Sequence, residues 1–360
     1  MTKLLILVKK YPTEHEPYAM TYVHSRCIEY KKRGVAFDVL SFDNSKSYTY
    51  QGINVITQKE AASNINSYTH IVSHAPNLRQ HLPFLLKYCT GKSKTLFLHG
   101  HEVLIKSHHY PKAYSFKFKN TAHRLVHNTI HKLYDSSKTK IIRYLISKTK
   151  NSSFILVSNH LKSLAQKDLK TDFPSNRTHI INNCVNEEFI TKSYLASSPK
   201  IADVVTIRQL DNSTYCMDIV HKLALENPNV TFTVYGKGVF FDYNSPPSNI
   251  TLIKGFFKHE QLPEILSAHR VALMPTKHDT QGVMSCEMAT FGIPLITSNI
   301  AVCQEIFADM PNVALIEDYT SLDLEDLIKS LARNISPPNK TKFSPSHTIE
   351  KELNTIIDNS

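Results

Sequence analysis

The chain has 360 residues, with 42 Lys plus Arg against 31 Asp plus Glu, 41% hydrophobic and 20% charged, a composition that excludes a mainly disordered chain and suits about two domains. No stretch approaches the roughly 18 apolar residues of a membrane span, and the run at 4–8 is too short for the core of a secretory signal, so a cytoplasmic chain is expected. The six Cys lie far apart without a C-x-x-C pair, which argues against a zinc site or disulfide framework and leaves them as small buried hydrophobes.

In chain order, short β-branched runs alternate with helical periodicity. Strands are predicted at 4–8, 37–41, 53–56, 71–73, 95–98, 154–157 and 179–181, with helices at 20–32, 78–88 and 161–170 between them. A second series follows, with strands near 204–207, 231–235, 250–253, 271–274, 295–297 and 313–316. Alternation of this kind implies parallel sheets covered on both faces, here two doubly wound α/β domains. The polar segment 193–200, with its Ser197-Ser198-Pro199 turn signal, is read as the linker. The domains are accordingly 1–195 and 196–345, and the C-terminal helix 346–360 is expected to pack back on the first.

Charge and glycine are both unevenly distributed. Residues 101–150 hold eleven basic side chains against the two acids Glu102 and Asp135, which suggests an anionic surface, either nucleic acid or an acidic membrane leaflet. Within this stretch Phe118, Ala122, Leu125 or Val126, Ile130 and Leu133 form an apolar stripe, flanked by Lys117, Lys119, Arg124 and Lys132. Such a basic amphipathic helix is expected to lose part of its stripe to packing and to contact an anionic membrane with the rest. The aromatics fit no nucleic-acid module, so no nucleic-acid partner is expected. His123, His127 and His131 recur every four residues, but without an acidic or Cys partner no metal is expected there. Of only nine Gly, five (Gly236, Gly238, Gly255, Gly282 and Gly292) fall in one span, where the backbone must turn sharply or approach a ligand.

The chemistry concentrates in VALMPTKHDTQGVMSCEMATFGIPLITSNIAVCQE, residues 271–305. A buried strand runs into a polar loop, and Gly282 opens an apolar helix. Free N–H groups at that helix N-terminus, those of Val283 and Met284, make a phosphate site without any side-chain charge. Glu287, about one turn inside, is placed to accept bonds from ribose hydroxyls, and Asp279 in the loop from sugar hydroxyls.

Asp279-x7-Glu287, with Gly282 and Gly292-Ile293-Pro294, resembles the E-x7-E signature of family 4 retaining glycosyltransferases, whose GT-B fold sets two facing Rossmann-like domains around an interdomain cleft. DTQGVMSCEMATFGIPLITSN is similar to a bacterial polysaccharide-type branch with Asp at the first acidic position. The resemblance implies that Arg208 in VVTIRQL contacts the donor diphosphate. It also implies that Gly236, Lys237 and Gly238 of VYGKG receive the nucleotide base, and that the stretch around Gly255 in ITLIKGFF contacts it. His99 in TLFLHGHEVL matches the His beside the donor sugar, and Asn182 and Asn183 match an Asn-rich turn. Two features depart from the pattern: Thr214 stands where a second phosphate-binding Lys is usual, and YPTEHEPYAM replaces the glycine-rich loop after the first strand.

The resemblance implies a metal-independent, retaining transfer of sugar from a nucleotide-diphosphate donor to a glycan or lipid-linked acceptor, at the inner face of the cell membrane. His99, Asp279 and Glu287 would be the catalytic set. The alternative, motivated by Thr214, is a non-catalytic nucleotide-sugar-binding or scaffold subunit of a polysaccharide assembly complex.

Overall fold

The leucine-rich run at the start forms a strand, Lys3–Val8 (β1), buried from Leu4 onward as the centre of a two-sided parallel sheet demands. The computed structural model describes residues 2–16, 19–118, 120–255, 257–333 and 336–357, the side chain of His123 excepted. β1 is joined by Ala36–Ser41 (β2), Tyr48–Tyr50 (β3), Ile53–Ile56 (β4), His70–His74 (β5), Ser93–Leu98 (β6), Ser152–Leu156 (β7) and Thr178–Ile180 (β8). Their order is β3-β4-β2-β1-β5-β6-β7-β8. All neighbours are parallel except β3 and β4, which form an antiparallel hairpin at the edge. That hairpin turns through Gln51 and Gly52, both with positive φ (46° and 72°), the two-residue turn whose twist matches its strands. β3 was not among the predicted strands; its three residues carry no long apolar signal, and only the turn betrays it.

The second sheet comprises Ala202–Ile207 (β9), Phe232–Gly236 (β10), Ile250–Lys254 (β11), His269–Met274 (β12), Leu295–Ser298 (β13) and Val313–Ile316 (β14). It runs β11-β10-β9-β12-β13-β14, parallel throughout. Its core gathers Val204, Val220, Phe232, Val234, Phe240, Val271 and Leu273.

The chain divides into two compact units: Met1–His108, Ile130–Cys184 and Phe343–Ser360 around the first sheet, and His109–Thr129 and Val185–Lys342 around the second. The segment 193–200, read as a linker, is held within the second unit: the Tyr194 hydroxyl donates to the His269 carbonyl at 2.8 Å, and Lys200 Nζ to that of Ser267 at 2.7 Å. Residues 109–118 also belong there. Tyr114 donates to Asp218 Oδ1 at 2.9 Å, and Phe116 stacks on Tyr243 with ring centres 4.8 Å apart. The C-terminal helix Pro345–Ile357 lies in the first unit, against the helix Thr21–Lys32. There the buried Arg26 Nε donates to Glu352 Oε1 at 2.8 Å, and the Tyr30 hydroxyl to Glu352 Oε2 at 3.0 Å. All six cysteines are free and buried.

Candidate functional site in the second unit

An open parallel sheet takes its ligand beyond the carboxyl ends of its strands, at the point where the strand order reverses. In the second sheet that point lies between β9 and β12. Arg208 directly follows β9, and the loop 275–282 follows β12. Arg208 Nη1 donates to the Pro275 and Tyr215 carbonyls, tying the two strand ends together, while its Nε is buried without a hydrogen-bond partner among the described residues. Burial pulls the guanidinium below its ordinary pKa, opposed by Cys216, Tyr215, Tyr319 and Asp279. A guanidinium keeps its proton through such shifts, so a positive charge stands at the switch point.

Asp279 Oδ1 accepts from the N–H groups of Thr280 (2.7 Å) and Gln281 (3.2 Å). Burial raises the Asp279 pKa, opposed by the N–H groups of Gln281, Thr280 and Gly282 and by Arg208. Gly282 adopts φ +76°, and a β-carbon there would meet Asp279 Oδ2 at 3.2 Å, so both dihedral and space select glycine. It opens the helix Val283–Phe291, to which no side chain among the described residues supplies a cap. The half-buried Val283 and Met284 therefore stand at a helix N-terminus without a side-chain cap among the described residues, with the Asp279 carboxylate held just before it by the N–H groups of residues 280–282.

Glu287, inside that helix, is buried. Its Oε1 accepts from the Asn186 N–H at 3.4 Å and lies 3.5 Å from His259 Nε2. His259 was not among the residues the sequence singled out. It sits in a short 3-10 turn, His259–Gln261, and no spacing rule connects it with Glu287. Burial lowers its pKa, but Glu287 above all, then Glu260 and Glu188, outweigh this and the net shift is upward.

Gly236 ends β10 so close to β9 that a β-carbon would fall 1.9 Å from the Arg208 carbonyl oxygen; no side chain fits there. Lys237 is exposed, Gly238 half-buried, and Gly255 donates to the Gly236 carbonyl at 3.4 Å, so the four residues assigned to the nucleotide lie at adjacent strand ends. Thr214 is buried, and its carbonyl accepts from Lys277 N at 3.0 Å and Thr276 Oγ1 at 3.2 Å, making it an anchor for the loop 275–282. Lys277 reaches Asp218 Oδ2 at 2.6 Å, and both Lys277 and Arg208 act electrostatically on Cys216. A second cation is thus present in this neighbourhood, although not at position 214.

In the first unit, His99 follows β6, its backbone N–H donating to Glu102 Oε1. Its Nε2 lies 3.4 Å from His74 Nδ1, and its ring packs on Tyr22 at 4.6 Å. Burial, then Arg26, drives the His99 pKa well down, so the ring is neutral. Asn182 Nδ2 donates to the Val157 carbonyl at 2.7 Å, and Asn183 is buried.

The basic stretch forms one long helix, Thr121–Lys148. Of the stripe, Phe118 is half-buried with its ring edge-on to His127 at 5.5 Å, whereas Leu125, Val126, Ile130 and Leu133 are 57–68% exposed. Lys117, Arg124 and Lys132 are exposed beside them, while Lys119 lies outside the described residues, as does the His123 side chain. Lys138 is different: it is buried, with Nζ bonded to Asp135 Oδ1 and to the His101 and Leu104 carbonyls, so it is spent inside the unit.

Residues 201–334 match the family model described as glycosyl transferases group 1. The chain carries a group 1 glycosyltransferase domain. That domain contains Arg208, Gly236, Lys237, Gly238, Gly255, His259, Asp279, Gly282 and Glu287. A protein of 41.2 kDa from the cps region of Klebsiella pneumoniae, itself uncharacterized, is 25% identical over 79 residues, a match spanning 22% of this chain and 22% of that protein's length. A likeness of fold to solved structures extends over nearly the whole chain. Sucrose-phosphate synthase from Thermosynechococcus elongatus superposes with TM-score 0.71 at 11% identity, covering 99% of each chain. HepE of Anabaena, in complex with UDP and glucose, gives 0.68 at 12% identity, over 99% of this chain and 100% of that one. WaaG, a glycosyltransferase involved in lipopolysaccharide biosynthesis, gives 0.66 at 14% identity, over 98% and 99%. At such identities the likeness carries the fold, and that fold is GT-B.

Proposed function

We propose that the chain is a retaining glycosyltransferase that moves a sugar from a nucleotide-diphosphate donor to a glycan or lipid-linked acceptor in cell-surface polysaccharide synthesis. The observation that carries this reading is the meeting of Arg208 and the uncapped helix N-terminus at Val283 and Met284 beyond the ends of β9 and β12. Both offer positive charge to a diphosphate, whose negative charge grows as the bond to the sugar breaks. No metal is needed for that stabilisation. Asp279 orients the sugar and Glu287 the ribose, with Lys237 and the glycines 236, 238 and 255 around the base. The bond between the anomeric carbon and phosphate oxygen breaks, the acceptor oxygen bonds on the same face, and its proton passes to the departing phosphate oxygen.

The solved complex of HepE with UDP and glucose supports a uridine diphosphate donor as the first to try. The exposed apolar face at Leu125, Val126, Ile130 and Leu133, flanked by Lys117, Arg124 and Lys132, supports peripheral docking on an anionic membrane at its cytoplasmic face. Among the described residues no helix is long and apolar enough to cross a membrane. Thr214, where a cation is usual, favours a second reading in which the chain binds nucleotide sugars without turnover. Incubation of the purified chain with a panel of nucleotide sugars and a membrane fraction separates the two. Acceptor-dependent transfer, lost in Asp279→Ala and Glu287→Ala, supports the enzyme, whereas binding without transfer or slow hydrolysis supports the scaffold.

A further inference from the structure

Two separate segments converge on one oxygen of Glu287. The Asn186 N–H, at the start of the helix Glu187–Thr191, reaches Oε1 at 3.4 Å, and His259 Nε2 reaches the same atom at 3.5 Å. Oε2 has no hydrogen-bond partner among the described residues. A carboxylate on a flexible side chain loses rotamer freedom when it binds hydroxyls, and neighbours that fix it beforehand remove that cost. His259 is itself held, its ring edge-on to Phe189 at 6.3 Å with planes 86° apart. We infer that His259 is a positioning residue that fixes Glu287 by one oxygen, so that the other is presented to the ribose hydroxyls of a nucleoside diphosphate. The inference rests on the donor-site reading above and adds to it a pH-dependent clamp.

The groups around His259 favour the clamp in its charged form. Glu287 faces it from the helix Val283–Phe291, Glu188 from Glu187–Thr191, and Glu260 from its own turn. The nearby Lys192 is occupied by Glu188 at 2.6 Å. Three acids against one committed cation hold the proton on the imidazole above its ordinary range. Binding is therefore tightest where His259 is protonated and weakens as pH rises through its titration.

The test is calorimetric titration of the full-length chain with UDP from about pH 6 to about pH 9, on wild type, His259→Gln, His259→Lys and Glu287→Gln. Wild-type affinity is expected to fall by about tenfold across the range, while His259→Gln is weak and flat. His259→Lys, which keeps a cation at the site, is expected to retain affinity at the alkaline end. If His259→Gln fails to fold, as judged by circular dichroism, the wild-type profile and His259→Lys decide. Wild-type affinity and pH profile in His259→Gln, alongside weakened binding in Glu287→Gln, overturn the clamp and leave the donor site standing. Failure of UDP, GDP and dTDP all to bind the wild type overturns both.

Discussion

Arg208 brings a positive charge to the proposed site that is anchored by two carbonyls and not by a carboxylate. Replacing it by Gln removes the charge and the bond that ties Pro275 to β9. A lost charge-assisted bond of about 1.5–3 kcal/mol corresponds to a loss of about 10- to 100-fold in UDP affinity, measurable by calorimetry. Gly282→Ala acts differently. At φ +76° an alanine adds strain of about 1–2 kcal/mol and crowds Asp279, so both melting temperature and affinity are expected to fall. Arg208, Asp279, Gly282 and Glu287 were legible in the sequence, since each belongs to a run whose strand, loop and helix pattern is local. His259 was not, because its link to Glu287 exists only once β11 and the following turn are folded beside the helix Val283–Phe291. The cation at Lys277 was hidden likewise: it lies 63 positions along the chain from Thr214, yet its backbone bonds to it.

At the scale of elements, strands were the easiest to read. Both sheets are parallel and two-sided, so their strands appear as near-continuous apolar runs bounded by polar turns. The edge strand β3 and the affiliation of 109–118 escaped, the first through shortness, the second because Tyr114 and Phe116 are recruited by aromatic rings distant in sequence. The first sheet also carries a pH liability. His70 on β5 is buried against Thr95 Oγ1 at 2.8 Å, and burial lowers its pKa to about 4; His81, on the helix His81–Tyr88, falls to about 3. Each is neutral when folded and takes a proton more readily when unfolded. The stability they contribute is present above the unfolded value of about 6.5 and is lost as pH falls towards their folded values. Denaturant midpoints measured between those limits are expected to fall, by up to about 1.4 kcal/mol per pH unit for each histidine, and His70→Gln is expected to flatten the slope. The helix Thr121–Lys148 makes its own prediction: Leu125→Ser with Leu133→Ser reduces co-sedimentation with anionic vesicles and leaves stability within about 0.5 kcal/mol, because both side chains are exposed.

Over the whole molecule, the C-terminal helix is joined to the first unit by the buried Arg26–Glu352 pair, separated by 326 positions in sequence. Breaking it with Glu352→Ala leaves a buried guanidinium unpaired and is expected to cost about 3–5 kcal/mol in denaturant unfolding, while Arg26→Met with Glu352→Leu recovers much of it. The alternation of strands and helices announced two α/β domains. The chain's crossing between units at 184 and 185 was not announced, because the polar segment 193–200 looks like a linker and is in fact held by Tyr194 and Lys200. The positive charge also divides once the structure is known, with Lys138 spent internally while Lys117, Arg124 and Lys132 remain on the surface. The most direct measurement of the central claim is the anomeric configuration, by NMR, of the product formed when purified protein, nucleotide sugars and a membrane acceptor are combined. The account predicts acceptor-dependent release of nucleoside diphosphate and a product that keeps the donor's configuration, with both lost in Asp279→Ala. An inverted product, or a nucleotide sugar bound tightly and never consumed, contradicts it.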